Sequence, residues 1–142
     1  MIELFKNMSL VTHQFVVTQE VYKAFQICSG DMNPLHTDLE FAKSKGFPEC
    51  VMYGNIINAF VSTLIGMCLP SPDVIIHSQD IQYKKPVFMN DVLDAEIRVE
   101  EVFESVNTVE LKFTFRNQYS QVVSKILRVN FPTLIASATF DG

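Results

Sequence analysis

The sequence predicts an α+β domain in which an antiparallel β-sheet wraps around a long central helix, and three observations predict it. Ile56 to Leu69 is an apolar stretch of fourteen residues, enough for a buried helix but short of the roughly 18–20 residues that cross a bilayer. In the second half the pattern becomes two-residue alternation, the period of a strand with one buried face. The chain has 142 residues, 48% of them apolar, with only five Gly and six Pro, which makes about one domain at the usual ~100–200 residues each. We therefore read 1–142 as a single domain with a real core.

Taken in order, the first element is a strand within Leu10 to Thr18, marked by the β-branched and aromatic run Phe15-Val16-Val17-Thr18. From Gln19 the spacing changes. Val21, Ala24, Phe25 and Cys28 fall at i, i+3, i+4 and i+7, one face of a helix that Ser29-Gly30-Asp31 ends. Thr37 followed by Glu40 is a capping-box pattern, which predicts a short helix from Asp38 to Lys45 with Gly46 as its stop.

Asn55 is the predicted N-cap of the apolar helix. Ile56, Ile57, Phe60, Val61, Leu64, Ile65 and Met67 point to nearly all of its sides, so other structure should surround it. Strands follow Pro70-Ser71-Pro72. Leu93, Ala95, Ile97 and Val99 alternate with Asp94, Glu96, Arg98 and Glu100, and Val109, Leu111, Phe113 and Phe115 alternate with Glu110, Lys112, Thr114 and Arg116. Turn signals at Asn90-Asp91, Ser105 to Asn107 and Asn117 to Gln121 join such strands as antiparallel hairpins. Their apolar face needs a cover, which the Ile56–Leu69 helix supplies.

Charge narrows the function. Eleven basic and sixteen acidic residues leave a net charge of −5, without the basic stripe that displaces phosphate counterions, so no nucleic-acid partner is expected. A mean hydropathy of +0.17 is high for a lone small domain and points to apolar surface held in a subunit interface. Cys28, Cys50 and Cys68 show no CxxC and no zinc-finger spacing, so they read as buried reduced thiols, with no structural metal. The start, Met1 to Asn7, has Glu3 and no apolar h-region, so no signal peptide and a cytoplasmic location are expected, and with Ile56 to Leu69 too short to span a bilayer no membrane partner is expected.

The chemistry-bearing segment is Ser29-Gly30-Asp31-Met32-Asn33-Pro34-Leu35-His36. A Gly ends a helix and Asn-Pro forces a turn, so Asp31 and His36 flank a tight connection and can face one cavity. A carboxylate and an imidazole sharing a water form an acid/base pair: one takes a proton while the other orients the water or returns a proton. Turn chemistry alone also accounts for every residue here, since Asp and Asn have local reasons to sit in turns. Two further features are the Gly54-Asn55 pair opening the buried helix and Ser62 two turns into it.

At these residues the sequence resembles the MaoC-like dehydratase family, which includes the (R)-specific enoyl-CoA hydratases and has the hotdog fold, a long helix wrapped by an antiparallel sheet. The family's hydratase motif is an aromatic, then Ser-Gly-Asp-x-Asn-Pro-Leu-His, then an Ala about six residues on. Here Phe25, Ser29 to His36 and Ala42 stand in those places. The likeness continues through Phe47, Gly54, Tyr83-Lys84-Lys85-Pro86-Val87-Phe88 and Asn90-Asp91, covering about residues 10 to 130.

The resemblance implies a catalytic pair, Asp31 and His36, holding the water that adds across a trans-2-enoyl thioester to give an (R)-3-hydroxyacyl thioester. It implies the Gly54 backbone N–H as oxyanion donor at the positive end of the central helix. Asn33, Pro34, Tyr53 and Ser62 become supporting or substrate-binding residues, with no metal and no cofactor beyond the coenzyme A or acyl carrier protein that carries the substrate. A homodimer whose subunits pair sheet edges and complete each other's pockets is the implied assembly.

Two departures bear on the pocket and one on a turn. Tyr53 stands where the family often has His and Pro48-Glu49-Cys50 replaces Gly-rich residues over the pocket, whereas Met89-Asn90 replaces a Gly in a turn. Lys84-Lys85 can meet coenzyme A phosphates or end a strand in solvent. His13 and His77 read as ordinary strand positions, and Asp94 to Glu100 as a solvated sheet face. The competing enzyme readings are a carrier-protein-linked 3-hydroxyacyl dehydratase of the fatty-acid type and a hotdog thioesterase. Resembling proteins run both with a carboxylate on the central helix, and this chain has none between Gly54 and Pro72. A non-catalytic thioester-binding subunit is the third reading, and it has no need of an intact Asp31/His36 pair.

Overall fold

Alternation in the second half sorts cleanly into two faces. Leu93, Ala95 and Ile97 on β3 (Val92–Phe103) and Val109, Leu111, Phe113 and Phe115 on β4 (Thr108–Arg116) are fully buried. Each such side chain contributes about 1.5–3 kcal/mol for the larger residues, so these two strands carry much of the core. The computed structural model describes residues 2–132, with side chains as far as residue 126. The single-domain expectation for 1–142 therefore extends past the described residues at both ends.

The remaining elements are α1 (Ile2–Lys6), β1 (Val11–Val16), α2 (Gln19–Ser29), α3 (Pro34–Thr37), α4 (Leu39–Ser44), α5 (Ile56–Thr63), β2 (Ser78–Tyr83) and β5 (Val122–Pro132). The five strands form one sheet in the order β1-β3-β4-β5-β2, with every neighbouring pair antiparallel. Asn90, Asn107 and Ser120 adopt φ of 65°, 52° and 59°, one on each of the three expected turns. Left-handed backbone lets the chain reverse tightly there, and Asn tolerates it best after Gly.

The sheet wraps α5 as expected, but the burial of that helix is one-sided. Ile56, Ile57, Phe60, Val61, Leu64 and Ile65 are buried, whereas Met67 is 80% exposed. After Thr63 the helix widens into a π-helical turn over Leu64–Cys68. The widening keeps Leu64 and Ile65 together on the sheet side and leaves Gly66 and Met67 outside. Phe60 stacks on Phe15 of β1 with centroids 4.4 Å apart, tying the helix to the sheet.

Other local expectations need correction. Asn55 stands at the N-cap position of α5 but makes no capping bond, because its Oδ1 accepts from Tyr83 Oη and Asn58 Nδ2, both at 2.9 Å. The cap of α4 is Asp38, whose Oδ1 accepts from Phe41 N at 3.0 Å, while Thr37 belongs to α3 and donates back to Asn33 O. On α2 no residue is buried: Val21, Tyr22 and Phe25 pack half-buried, and Ala24 and Cys28 are exposed. Cys50 and Cys68 are half-buried rather than buried, and all three thiols are free. No helix among the described residues is long and apolar enough to cross a membrane.

Candidate active site

Short-range bonds from its own side chains shape the loop between α2 and α3. Gly30 at φ 66° caps α2, and its N–H bonds Gln26 O, a conformation that costs a residue without Cβ least. Ser29 Oγ accepts from Asp31 N at 3.2 Å, Asp31 Oδ1 from Asn33 N at 2.9 Å, and Asn33 Oδ1 from Leu35 N at 2.9 Å. Asn33 thus caps α3, and Pro34 occupies its first turn, where a missing N–H costs nothing. The same bonds orient chemistry. With Oδ1 engaged by Asn33, the free oxygen of Asp31 is Oδ2, and it faces His36 Nε2 at 3.9 Å.

His36 is fixed at its other nitrogen. Nδ1 lies 2.7 Å from the carbonyl oxygen of Val51, and because a carbonyl only accepts, Nδ1 carries the hydrogen of the neutral ring. Nε2 is then a lone-pair acceptor. Two acceptors 3.9 Å apart cannot bond each other directly, but one water at ordinary hydrogen-bond distance can donate a hydrogen to each. Such a water has both hydrogens engaged and its remaining lone pairs directed away from the pair. The imidazole is 15% exposed and the carboxylate 45%, so the working edge opens outward.

Gly54 stands beside this pair. A cavity of about 190 Å³ is lined by Phe25, Asp31, His36, Tyr53, Gly54, Asn55 and Tyr83. Among the described residues the Gly54 N–H has no acceptor, and it lies at the start of α5, where the helix dipole favours negative charge. A Cβ on Gly54 would meet the Tyr83 ring at 3.4 Å, so the ring packs directly over this turn. An apolar space of about 330 Å³ adjoins it, sharing His36, Gly54 and Tyr83 and continuing past Met52, Ile57, Pro86 and Val87 to the exposed Lys84 and Lys85. Another, about 310 Å³, lies on the far side of His36 against Tyr22, Leu39, Cys50, Met52 and Met89. A groove of about 460 Å³ is lined by Lys6, Ser9, Arg98, Glu100 and Glu101, among others, and contains none of the residues around the Asp31/His36 pair.

The model of the MaoC-like domain matches residues 6–118. The chain belongs to the MaoC-like domain family. Among curated members, an (R)-specific enoyl-CoA hydratase of Aeromonas caviae is 37% identical over 76 residues, covering 54% of this chain and 57% of that protein. A mitochondrial 3-hydroxyacyl-[acyl-carrier-protein] dehydratase of Arabidopsis thaliana is 28% identical over 111 residues, 76% of this chain and 66% of that one. The matches thus span about three fifths of those relatives' lengths. Among solved structures, the (R)-hydratase of A. caviae superposes with a TM-score of 0.80 at 25% identity, covering 88% of this chain and 94% of that chain. The unliganded R-hydratase from Pseudomonas aeruginosa superposes with a TM-score of 0.79 at 24% identity, covering 94% and 88%. The fold of this MaoC-like chain is the hotdog fold.

Of the residues expected in a MaoC-like site, the structure brings Asp31, His36, Tyr53 and Gly54 to one cavity, while Asn33 and Pro34 line none of the cavities around His36 and act on the loop that carries the pair. Ser62 does neither. It is exposed on α5, makes no hydrogen bond to Asp31 or Asn33, and lines none of the cavities around His36. Two turns of helix carry it along α5 away from the Gly54 end, so within one subunit it does not support the loop. Tyr53 does more than shape the pocket: it is 3% exposed, its ring lies 4.3 Å from that of His36, and its hydroxyl bonds Asp31 O. Sequence reasoning missed Tyr22, Gln26 and the Val51 carbonyl. The first two sit at i and i+4 on α2, a polar pair beside the apolar face, and that spacing was the available signal. Nothing in the sequence marks a backbone carbonyl. Among the described residues no three His, Cys, Asp or Glu side chains come together to hold a metal ion.

Proposed function

We propose that this MaoC-like chain adds water reversibly across a trans-2-enoyl thioester, giving an (R)-3-hydroxyacyl thioester. The observation that carries the reading is the pair of acceptors, Asp31 Oδ2 and His36 Nε2, facing each other across 3.9 Å beside the unengaged Gly54 amide. In hydration the water oxygen bonds to C3 as Asp31 takes one of its hydrogens, and His36 Nε2 holds the other and steers the attack. The C2=C3 electrons move onto the thioester oxygen, where the Gly54 N–H meets the developing charge. As the enolate collapses, C2 takes the proton back from Asp31 on the face the water came from. Atoms and charge balance within these groups, so the scheme calls on no electron acceptor and no cofactor. The handedness of the product follows the names of the (R)-specific relatives.

The relatives' names divide over the carrier, coenzyme A in some and acyl carrier protein in others. Both remain within the proposal, and the thioesterase reading has no central-helix carboxylate to support it. The experiment is a panel of enoyl thioesters of increasing length, offered on both carriers to the purified chain and followed by loss of conjugated absorbance. Turnover on at least one carrier is expected; inactivity on all of them sinks the reading in favour of a non-catalytic subunit.

The assembly we propose is a cytoplasmic homodimer. Among the described residues β1 and β2 are the edge strands, and these edges with exposed apolar residues including Ile27, Met67, Ile75 and Ile76 offer the surface for it. Sedimentation at micromolar concentration should show twice the 16.2 kDa chain mass, and a monomer alone would refute the dimer.

A further inference from the structure

Two tyrosines hold the acid/base pair from behind. Tyr53 Oη donates to the backbone carbonyl of Asp31 at 2.5 Å, and Tyr22 Oη donates to the backbone carbonyl of His36 at 3.0 Å. The side-chain amide of Gln26 donates to both phenolic oxygens, at 3.2 Å each. An amide nitrogen carries two hydrogens and a phenol one, so the pattern closes. Gln26 engages one hydrogen with each ring, which leaves each hydroxyl its own hydrogen for a carbonyl. Burial holds the Tyr22 phenol above its ordinary pKa, so it remains a donor across the neutral range.

The three side chains join separate parts of the fold. Tyr22 and Gln26 lie one turn apart on α2, and Tyr53 lies in the turn before α5. Because α2 has no buried residue, directional hydrogen bonds as well as apolar packing must fix where it stands over the loop. Rings reinforce the bridge: Tyr53 lies 4.9 Å from Phe25 and 5.6 Å from Tyr22, centroid to centroid.

We propose that Tyr22, Gln26 and Tyr53 form one positioning unit that sets the separation of Asp31 and His36. The purpose of that separation rests on the hydratase reading, whereas the unit itself does not. A gap that one water spans is sensitive to small shifts at either end, and misplacement by about 1 Å can cost about 10²-fold in rate. The unit grips both ends by their backbones, leaving both side chains free for the water.

The test uses Tyr22→Phe, Tyr53→Phe and Gln26→Leu in the full chain. All three keep volume and remove hydrogen bonds, and the half-buried Gln26 supplies the mildest change. Each variant removes two of the unit's four bonds and should lower kcat at least about tenfold. KM for the enoyl thioester should stay within about twofold for Tyr22→Phe and Gln26→Leu, since a purely positional loss falls on the chemical step. In an Asp31→Asn background the same substitutions should lower kcat no further. Equal losses in both backgrounds would show a general structural role and overturn the proposal.

Amide hydrogen exchange reads the unit without any activity. The Asn33 and His36 amides should exchange about tenfold faster in each variant, with β4 amides unchanged. Exchange that stays unaltered there overturns the proposal. Faster exchange in a chain without hydratase turnover would sustain the positioning unit and reject the function proposed above.

Discussion

The β3–β4 hairpin and the Ser29–Thr37 loop are built on opposite principles. On the hairpin, Leu93, Ala95, Ile97, Val109, Leu111, Phe113 and Phe115 have no exposed surface, and the stabilisation is non-directional apolar burial. The loop has no buried residue from Ser29 to Thr37 and is held by hydrogen bonds, from Ser29, Asp31, Asn33 and Thr37 to its own backbone and from Tyr53 and Tyr22 to the Asp31 and His36 carbonyls. Such bonds contribute about 0.5–1.5 kcal/mol each but fix direction. Stability and chemistry are therefore separable here: the hairpin determines whether the chain folds, and the loop determines where Asp31 Oδ2 points.

The sharpest break of that comparison is Asp31→Asn. Asn serves the same turn, so the melting temperature should hold, while removal of the base should lower kcat about 10²–10⁴-fold. His36→Ala should fall comparably, and the double variant should lose far less than the product, since both residues act on one water. Turnover within a few-fold of the parent would return Asp31 to a turn residue.

Phe113→Ala tests the other side. It removes a fully buried ring and should destabilise by about 3–5 kcal/mol in urea unfolding, with kcat per folded molecule little changed. A loss of rate without a loss of stability would mean that the core and the site are not separable.

The smallest effect joins the two regions. Asn33→Ala deletes the cap of α3 and should cost about 1 kcal/mol of stability or less. Its kcat should nevertheless fall more than that small change in stability explains, because the loop bond that orients the Asp31 carboxylate is attached to a looser backbone. Urea unfolding and initial rates on one preparation check both halves.

The same contrast explains what the sequence made legible. One-sided burial leaves a period-2 trace, so β3, β4 and the turns at Asn90, Asn107 and Ser120 lie where alternation and turn residues put them. The loop was legible because its side chains bond within a few residues of themselves. Contacts between distant segments leave no such trace. Asn55 looked like a cap because Tyr83, 28 residues on, is invisible to local reasoning. For the same reason the bond from Gln26 to Tyr53, 27 residues on, left no mark in the sequence. The π-helical turn at Leu64–Cys68 escaped because an apolar run does not reveal how tightly it winds.

The bond between His36 Nδ1 and the Val51 carbonyl has a consequence for the direction of turnover. With that hydrogen committed, a neutral imidazole offers only its Nε2 lone pair, and the proposed scheme starts from the carboxylate of Asp31 beside that lone pair. Hydration starts from that form and, once C2 is protonated, returns to it. Dehydration must retrace the same path: the carboxylate takes the C2 proton and hands it to the departing hydroxyl. The site thus regenerates itself in either sense without borrowing a proton from bulk solvent between cycles. Nothing in the proposed scheme acts as a ratchet, so in that scheme the ratio of enoyl to hydroxyacyl thioester around the protein sets which way the reaction runs.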